Sequence, residues 1–533
     1  MSMTNILTQT GRWINSLFQA IKDTGLILLL NQHILNFIYM KKLFFLVALI
    51  GVFSLIANAQ LTINAHLSPN LKGPYTGNLL VYTLSDTAQH FGNDASENEA
   101  AFSMPVNNWT PEKTITLSAS ANFLNKRIDE LADGYYRLIA ILDTNISERR
   151  KLATGNLYTR KEEVVKVEKG KQASVDLVLN FAMEEQPFKE NDSTKMVKFL
   201  SPLLTSLKKK NTYIVAGLFL PPSYHKDKNR RYPVVFINPG WGGTHYHAMY
   251  DKVRELYGVG AGQEKVYVFL NPEAQTPYGL HAFVDSKVNG PWGTALVNEF
   301  IPYLVAHYRV DKNPKLHFLT GQSSGGYGSL WLALHFPAKF GGTWVTSPDP
   351  VDFSNFTGVN LYKDKNFFFD NEGKERGFMK VNGQYASTIK KVIQLERFEG
   401  DGGQYQSFEA AFGVPDAHGR PIQLMDTQTG NINPAVVKAW KDYDMALYTL
   451  AHAKELKKLA GPVNIYVGSN DNFSLNESAN AYKAKIEKTG VNIKVITVPE
   501  ADHFSVRNAE MSWQMQREID AIIKSNSSIQ AQH

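Results

Sequence analysis

The sequence contains no cysteine. Disulfide frameworks, thiolate zinc sites, cysteine nucleophiles and iron–sulfur clusters are therefore excluded on chemical grounds. The sequence also lacks an excess of one charge, because 56 Lys and Arg residues stand against 50 Asp and Glu residues, a formal net charge of +6. No basic run is long enough to follow a phosphate backbone, so nucleic acid is not expected as a partner. Any catalytic group must use oxygen or nitrogen.

The first sixty residues contain the pattern of an export signal. Starting at Met40, two lysines precede an apolar run over residues 43–56, and Ala57-Asn58-Ala59 follows. This order is typical of a cleaved signal peptide over residues 40–59, and the run is short for a membrane span. We expect cleavage after Ala59, a periplasmic or secreted protein, and no stable membrane insertion of the mature chain. We interpret residues 1–39 as an upstream extension from a mis-assigned start; the alternative is an uncleaved membrane hairpin.

The mature chain has two parts with different hydrophobic patterns. Residues 60–195 contain short alternating apolar runs and no long amphipathic helix, which predicts an antiparallel β-sandwich that ends in a polar linker over 184–195. Residues 196–533 alternate continuously apolar strands with helices, which predicts an α/β domain with a mostly parallel sheet. All catalytic candidates lie in this second part. We therefore expect the sandwich to fold independently and to take no part in the chemistry.

A long insertion at about 352–459 interrupts the alternation of strands and helices. It contains two glycine-rich patches and lacks a run typical of a buried strand. Insertions of this length in α/β domains are usually lids or substrate-binding excursions, so we expect a partly helical cap. The apolar spacing over residues 435–459 predicts one helix within it.

A predicted strand, a sharp turn and a predicted helix contain the candidate nucleophile. The apolar run 316–319 leads into Gly321-Gln322-Ser323-Ser324-Gly325, after which helical periodicity begins. This is the G-x-S-x-G pattern in the context that gives it a catalytic meaning. The two glycines let the strand and helix backbones approach around a serine held on a strained turn. We predict Ser323 as the nucleophile.

A serine nucleophile needs a general base, and the base needs a carboxylate that fixes its tautomer. In hydrolases of this type both residues follow the serine in the chain. His503 lies in the turn after the last predicted strand and is predicted as the base. Asp471 ends the strand before it and is predicted as the acid, because carboxylates at the carboxyl ends of strands face a common crevice. Asp349 and Asp352, after the preceding strand, are the alternatives.

The tetrahedral intermediate of acyl transfer needs backbone N–H donors. We predict the N–H of Ser324, next to the nucleophile, and the N–H of Trp241, in the glycine-rich loop 240–243. Aromatic side chains near the crevice are candidates for stacking on a sugar ring or a phenolic acyl group, with core or rim packing as the alternative. The predicted substrate contacts are Tyr246, Trp292 and Phe473.

Three sets of segments carry a family resemblance: 231–235 with 240–243, 298–303 with 308–310, and 321–326. From about residue 201 to 523 the chain resembles the esterase family of α/β-hydrolases that includes esterase D, enterochelin esterases and bacterial feruloyl and acetyl-xylan esterases. The resemblance implies an α/β-hydrolase fold with nucleophile, acid and base at the three positions above. The leading sandwich is similar to the immunoglobulin-type module of two-domain exported members. The histidine turn lacks the glycine pair that many members have, and the insertion is longer than usual.

The sequence therefore predicts an exported serine hydrolase that cleaves carboxylic esters through an acyl-enzyme. We expect a small-molecule or polysaccharide ester as substrate, and acyl groups on polysaccharides are one candidate. No metal or organic cofactor is expected, because the triad generates its own nucleophile. The alternatives are a peptidase of the same fold and a catalytically silent carbohydrate-binding protein.

Overall fold

The computed structural model describes residues 15, 19, 61–92, 96–149, 151, 153–400 and 402–530. Residues 527–530 are described by their backbone only. The predicted signal peptide lies outside the described residues. Among the helices of these ranges, none is both long enough and apolar enough to cross a membrane.

The first part of the chain forms two β-sheets around a common core. One sheet has the order β4-β1-β9, and the other has the order β10-β7-β6-β2-β3-β5 with β8 paired to β6. Alternate residues of the strands are buried, and apolar side chains from both sheets form one cluster. The strands are β1 Leu61–Leu67, β2 Tyr75–Leu84, β3 Ala101–Trp109, β4 Ile115–Leu117, β5 Asn122–Leu124, β6 Gly134–Asp143, β7 Leu157–Tyr158, β8 Glu163–Val167, β9 Ala173–Leu179 and β10 Phe181–Ala182.

One strand pair departs from the predicted antiparallel arrangement. β1 and β9 are parallel, with Leu61 beside Ala173 and Leu67 beside Leu179. Parallel neighbours need a long connection, and the strands between β1 and β9 provide it. Pro105 interrupts the alternation of apolar and polar residues in β3.

The second part contains an eight-stranded sheet with the order β11-β12-β14-β13-β17-β18-β21-β22. The strands from β14 to β22 in this order are parallel, and β11 and β12 add to one edge in antiparallel fashion. Residues 194 and 195, predicted as linker, belong to the edge strand β11. Two separate two-stranded sheets, β15-β16 and β19-β20, also belong to the second part. Its strands are β11 Thr194–Leu200, β12 Tyr213–Phe219, β13 Val234–Asn238, β14 Val266–Leu270, β15 Asp285–Ser286, β16 Gly290–Pro291, β17 His317–Ser323, β18 Gly342–Pro348, β19 Lys380–Val381, β20 Gln384–Tyr385, β21 Val463–Gly468 and β22 Ile493–Val498.

Helices cover this sheet and form the insertion. α5 is buried along nearly its whole length, because it packs on the sheet directly after β17. A π-helical stretch, Leu296–Phe300, joins α3 to α4. The helices are α1 Pro202–Lys208, α2 Asp251–Leu256, α3 Trp292–Ala295, α4 Ile301–His307, α5 Ser324–His335, α6 Ile389–Glu399, α7 Gln404–Phe412, α8 Pro434–Trp440, α9 Met445–Ala451, α10 Ala453–Leu456, α11 Leu475–Ile486 and α12 Ala509–Gln530.

The insertion between β18 and β21 is the partly helical segment that its composition predicts, with α6 to α10 and one short hairpin, β19–β20. The prediction of one helix over 435–459 is wrong, because the segment divides into α8, α9 and α10. Asp444 makes the first break: its side chain accepts the N–H groups of Ala446 and Leu447 and caps a new helix.

The sandwich packs directly against α6 of the insertion. Leu80, Tyr82 and Ile141 form an apolar cluster with Leu395 and Phe398 of α6. The Tyr82 hydroxyl also donates to Glu399 Oε1 at 2.8 Å. The two parts of the chain are therefore joined by a packed interface that the sequence did not indicate.

Candidate active site

Ser323 lies at the turn between β17 and α5 in a strained conformation. Its φ of 55° and ψ of −127° are rare for a residue with a side chain. The turn is crowded: a Cβ atom at Gly325 would lie 2.0 Å from the Asn238 carbonyl oxygen, and one at Gly321 would lie 2.3 Å from the Gly325 carbonyl oxygen. Only glycine fits at both positions, so the G-x-S-x-G pattern follows from the packing of β17, α5 and β13.

His503 and Asp471 form a buried hydrogen-bonded pair beyond the carboxyl ends of the strands. His503 Nδ1 lies 3.1 Å from Asp471 Oδ2, and both side chains are almost completely buried. Two further hydrogen bonds fix the histidine backbone: its N–H donates to Asn472 Oδ1 at 3.0 Å, and its carbonyl accepts Gln322 Nε2 at 2.8 Å. The second bond connects the histidine turn to the residue just before Ser323.

The surroundings of Asp471 keep this carboxyl ionised. Burial opposes ionisation, but the hydrogen bond from His503 and the charge of this histidine outweigh that cost and lower the pKa of Asp471. An ionised carboxylate at Nδ1 holds the other ring nitrogen free to accept a proton.

A second carboxyl, Asp349, faces the nucleophile itself. Ser323 Oγ donates to Asp349 Oδ1 at 3.3 Å, and within the described residues it forms no hydrogen bond with His503. Burial raises the pKa of Asp349 to about 6, although hydrogen bonds from Ser324 and Ser323 and the charge of His503 act in the opposite direction. Asp352, the other alternative acid, lies 2.6 Å from Lys485 Nζ as an ion pair and does not contact the histidine.

The loop that follows β13 lies directly against the nucleophile turn. A Cβ atom at Gly240 would lie 2.9 Å from the Gln322 carbonyl oxygen and 3.2 Å from Ser323 Cβ. No acceptor among the described residues takes the N–H of Trp241, the next residue. Ser324 begins α5, where the first N–H groups of a helix have no partner within the helix. Ser324 directly follows Ser323, and Trp241 follows Gly240, which packs against the nucleophile turn; the two amides stay the predicted oxyanion donors.

Two of the three predicted substrate contacts are wrong. Trp292 is completely buried, its ring is stacked on His281 with centroids 3.7 Å apart, and its Nε1–H donates to the Asn289 carbonyl. Tyr246 is also buried, and its hydroxyl donates to the Gln186 carbonyl at 2.7 Å. Their sequence proximity to the crevice loops did not distinguish core from rim.

Phe473, the third predicted contact, does lie at the site. Its ring meets the His503 ring edge to face, with centroids 4.8 Å apart, and the side chain is partly exposed. The neighbouring Phe504 is 61% exposed and forms the outer edge of the same aromatic group.

Two further residues support the site without a sequence signal of their own. Gln404, the first residue of α7 in the cap, donates from Nε2 to Ser324 Oγ at 3.3 Å. Arg507 is fully buried and donates to Thr346 Oγ1 at 3.1 Å and to the Gly321 carbonyl at 2.9 Å. It joins the loop after His503 to the strands β17 and β18. A buried arginine without a carboxylate partner cannot be identified from its neighbours in the chain.

Within the described residues, no cluster of three or more histidine or acidic side chains has an arrangement that could hold a metal ion.

The family model described as "Putative esterase" matches residues 205–515. An uncharacterized protein, YbbA, from Bacillus subtilis (strain 168) is 26% identical over 133 residues, which are 23% of this chain and 52% of the relative. The chain thus spans about half the length of this curated relative.

Solved structures of low sequence identity each match 62 or 63% of the chain. A ferulic acid esterase is 15% identical and matches 62% of this chain and 99% of its own, with a TM-score of 0.39. The S-formylglutathione hydrolase FrmB from Staphylococcus aureus is 12% identical and matches 62% of this chain and 98% of its own, with a TM-score of 0.39. A CE1 ferulic acid esterase from Anaeromyces mucronatus in complex with ferulic acid is 15% identical and matches 63% and 92%, with a TM-score of 0.33.

Proposed function

The protein belongs to the esterase family whose model matches residues 205–515, and from this premise we propose that it is a carboxylic ester hydrolase that acts through a Ser323–His503–Asp471 triad. The observation that carries the proposal is the buried pair of His503 and Asp471, 3.1 Å apart, tied through Gln322 to the strained turn of Ser323. A strained serine beside an oriented imidazole is the arrangement that nucleophilic acyl transfer requires.

The chemistry of the proposed triad proceeds in two steps. Ser323 Oγ attacks the ester carbonyl while His503 Nε2 takes its proton, and the negative oxygen receives hydrogen bonds from the N–H groups of Trp241 and Ser324. The alcohol leaves after it takes the proton from His503, and the acyl group stays on Ser323 as an acyl-enzyme. Water, deprotonated by the same imidazole, then releases the acid. The Ser323 hydroxyl, which donates to Asp349 before substrate binds, rotates about χ1 to reach the histidine.

We further propose that the substrate is encountered outside the cytoplasm. The basic, apolar and A-x-A segments over residues 40–59 support export with cleavage after Ala59. The partly exposed Phe473 and the exposed Phe504 beside His503 offer flat apolar surface to an acyl or sugar group. Acyl groups on polysaccharides are the substrate class that we propose.

The proposed triad is tested with a fluorophosphonate probe and a small chromogenic ester. We expect the wild-type protein to be labelled, and Ser323→Ala and His503→Ala each to lower kcat by on the order of 10³ or more with KM little changed, because both groups act in the transition state. Combining the two changes should add little further loss, since the residues act as one unit. Full activity of Ser323→Ala would refute the proposal.

The polysaccharide proposal needs a separate measurement. Wild-type protein and Ser323→Ala, as the matched control, are incubated with a panel of acylated polysaccharides, and the released acids are identified. Release by the wild type alone supports this substrate class. Hydrolysis of small esters without release from any polymer would contradict it and leave the triad standing.

A further inference from the structure

The loop between β6 and β7 of the sandwich extends to the oxyanion side of the active site. Arg149 in this loop has its Cζ atom 3.9 Å from the centroid of the Trp241 indole. Its Nε atom lies 3.1 Å from Glu273 Oε1, and only 4% of the Arg149 side chain and 5% of the Glu273 side chain are exposed. A residue of the first domain is therefore buried against the loop that flanks Ser323.

These contacts fix Trp241 from one side. Glu273 lies in the loop after β14, and β14 is the sheet neighbour of β13, which the Trp241 loop follows. The planar guanidinium can pair with this carboxylate and stack on the indole at the same time, an arrangement that a lysine ammonium cannot reproduce. Trp241 is otherwise 41% exposed, so Arg149 provides a rigid support for a side chain that is open elsewhere.

A buried ion pair is a costly way to hold two domains together. The loss of solvation of two charges is repaid only when geometry is good, and apolar residues of similar size often stabilise as well or better. Arg149 Nε and Nη2 and both carboxylate oxygens of Glu273 are buried without a hydrogen bond in the described structure, so the two side chains pair by charge at 3.1 Å and the pair is not optimised for stability. Its position beneath the oxyanion loop indicates a role in positioning.

We propose that Arg149 is a positioning residue that the sandwich supplies to the active site: by stacking on Trp241 it holds the amide of this residue where the oxyanion forms. The inference deepens the proposed function and rests on it. Oxyanion donors act through preorganised placement, so removal of one donor costs roughly 10²- to 10³-fold in kcat. A displaced donor should lower kcat less than a lost one, and we expect kcat to fall by roughly 10- to 100-fold.

The test compares three full-length variants with the wild type. Arg149→Met combined with Glu273→Gln removes the pair without leaving one buried charge alone, which protects folding. Arg149→Lys keeps the charge but loses the planar stack. Lys151→Met combined with Glu399→Gln is the matched control: it removes another ion pair of the same loop, 3.3 Å long, and neither residue contacts Trp241 in the described structure. The readouts are kcat and KM for a small ester, the affinity for phenylboronic acid as a tetrahedral mimic, and the melting temperature.

We expect the first variant to lose about 10- to 100-fold in kcat and a comparable factor in boronic acid affinity, with KM little changed. Arg149→Lys should recover part of the loss, and the control should retain wild-type kinetics. Unchanged kcat in the folded first variant, or an equal loss in the control, would overturn the inference. If the wild type neither hydrolyses esters nor reacts with a fluorophosphonate, the proposed function itself fails, which is a distinct outcome.

Discussion

Two buried carboxyl groups at the site differ because of what each of them faces. Asp471 receives a hydrogen bond from His503 and has a lowered pKa, whereas burial raises the pKa of Asp349 to about 6. An ionised group beside the histidine suits an orienting acid, and a group of raised pKa beside Ser323 does not repel the oxyanion while it is neutral. Environment rather than residue type thus separates their roles.

The choice of the acid leads to a comparison of three aspartates. We expect Asp471→Asn to lower kcat by on the order of 10² to 10⁴, because the imidazole loses the acceptor that fixes its tautomer. Asp349→Asn should retain most activity at pH 7, since a neutral side chain still accepts from Ser323, and Asp352→Asn serves as the control at a distance from His503. Steady-state kinetics of the folded variants is the measurement. A loss in Asp349→Asn with full activity in Asp471→Asn would move the acid to the end of β18.

The raised pKa of Asp349 also predicts a pH-dependent stability. The folded state binds the proton more tightly than the unfolded chain, so the unfolding free energy falls as pH rises from about 4 to 6, by about 3 kcal/mol in total. Asp349→Asn removes this penalty. The variant should have a higher unfolding free energy than the wild type at pH 8 and a similar one at pH 4. Urea unfolding at both pH values is the measurement. An equal difference at the two pH values would contradict the assignment.

At this scale the sequence predicted groups that lie next to a motif and missed those that depend on folding. Ser323, His503 and Asp471 were predicted from strands with a recognisable pattern; in the structure His503 lies beside Asp471, and the His503 carbonyl accepts a hydrogen bond from Gln322, the residue before Ser323. Trp292 was misplaced because an aromatic side chain near a crevice loop has the same sequence signature in a core as at a rim. The distant Arg149 had no local signal.

At the scale of elements, the cap helix α7 begins beneath a buried glutamate of α6. Glu396 accepts the N–H groups of Tyr405 and Gln406, in the first turn of α7, and the first residue of this helix contacts Ser324. Burial nevertheless raises the pKa of Glu396 to about 8. The start of α7 is therefore held by a carboxyl that is mostly neutral at pH 7.

A substitution at Glu396 tests this helix junction. Because the folded pKa lies above the ordinary value of 4.5, the wild type should lose stability as pH rises from about 4.5 to about 8, and the curve should level off above that. Glu396→Gln keeps an acceptor for the α7 amides and does not ionise, so its unfolding free energy should stay flat between pH 6 and 9. Urea unfolding of both proteins across this range is the measurement, and Glu500→Gln, an exposed position, is the control. A parallel decline in both proteins would refute the role of Glu396.

Elements were predictable where hydrophobic period and length agreed. The continuously apolar strands of the second part and α5 follow from their patterns, because they are buried on both faces. The segment 435–459 shows the opposite case: apolar spacing persists across Asp444, but its side chain caps a new helix and ends the old one. A local hydrogen bond there overrides periodicity.

At the scale of the whole molecule, the independent folding of the sandwich stays a prediction, and the structure adds that the sandwich packs against the second part. The sandwich contributes to an apolar cluster with α6 and places two buried basic residues, Arg149 and Lys151, against the second part. Separate hydrophobic patterns predicted two cores correctly, but an interface of polar and half-buried residues leaves little trace in either pattern. The sandwich thus contacts both the Trp241 loop, through Arg149, and the cap, through α6.

The shared interface predicts cooperative unfolding of the two parts. Because Leu395 and Phe398 are packed against the sandwich, we expect wild-type protein to unfold in one calorimetric transition. Leu395→Ala combined with Phe398→Ala should remove about 2 to 4 kcal/mol of interface packing, since both side chains are only partly buried, and should split the transition into two. Val381→Ala, at an exposed position of the β19–β20 hairpin, is the control and should leave one transition. Two transitions in the wild type would contradict this prediction, because each part would then unfold alone. In that case the rest of the interface would not stabilise the contact of Arg149 with Trp241.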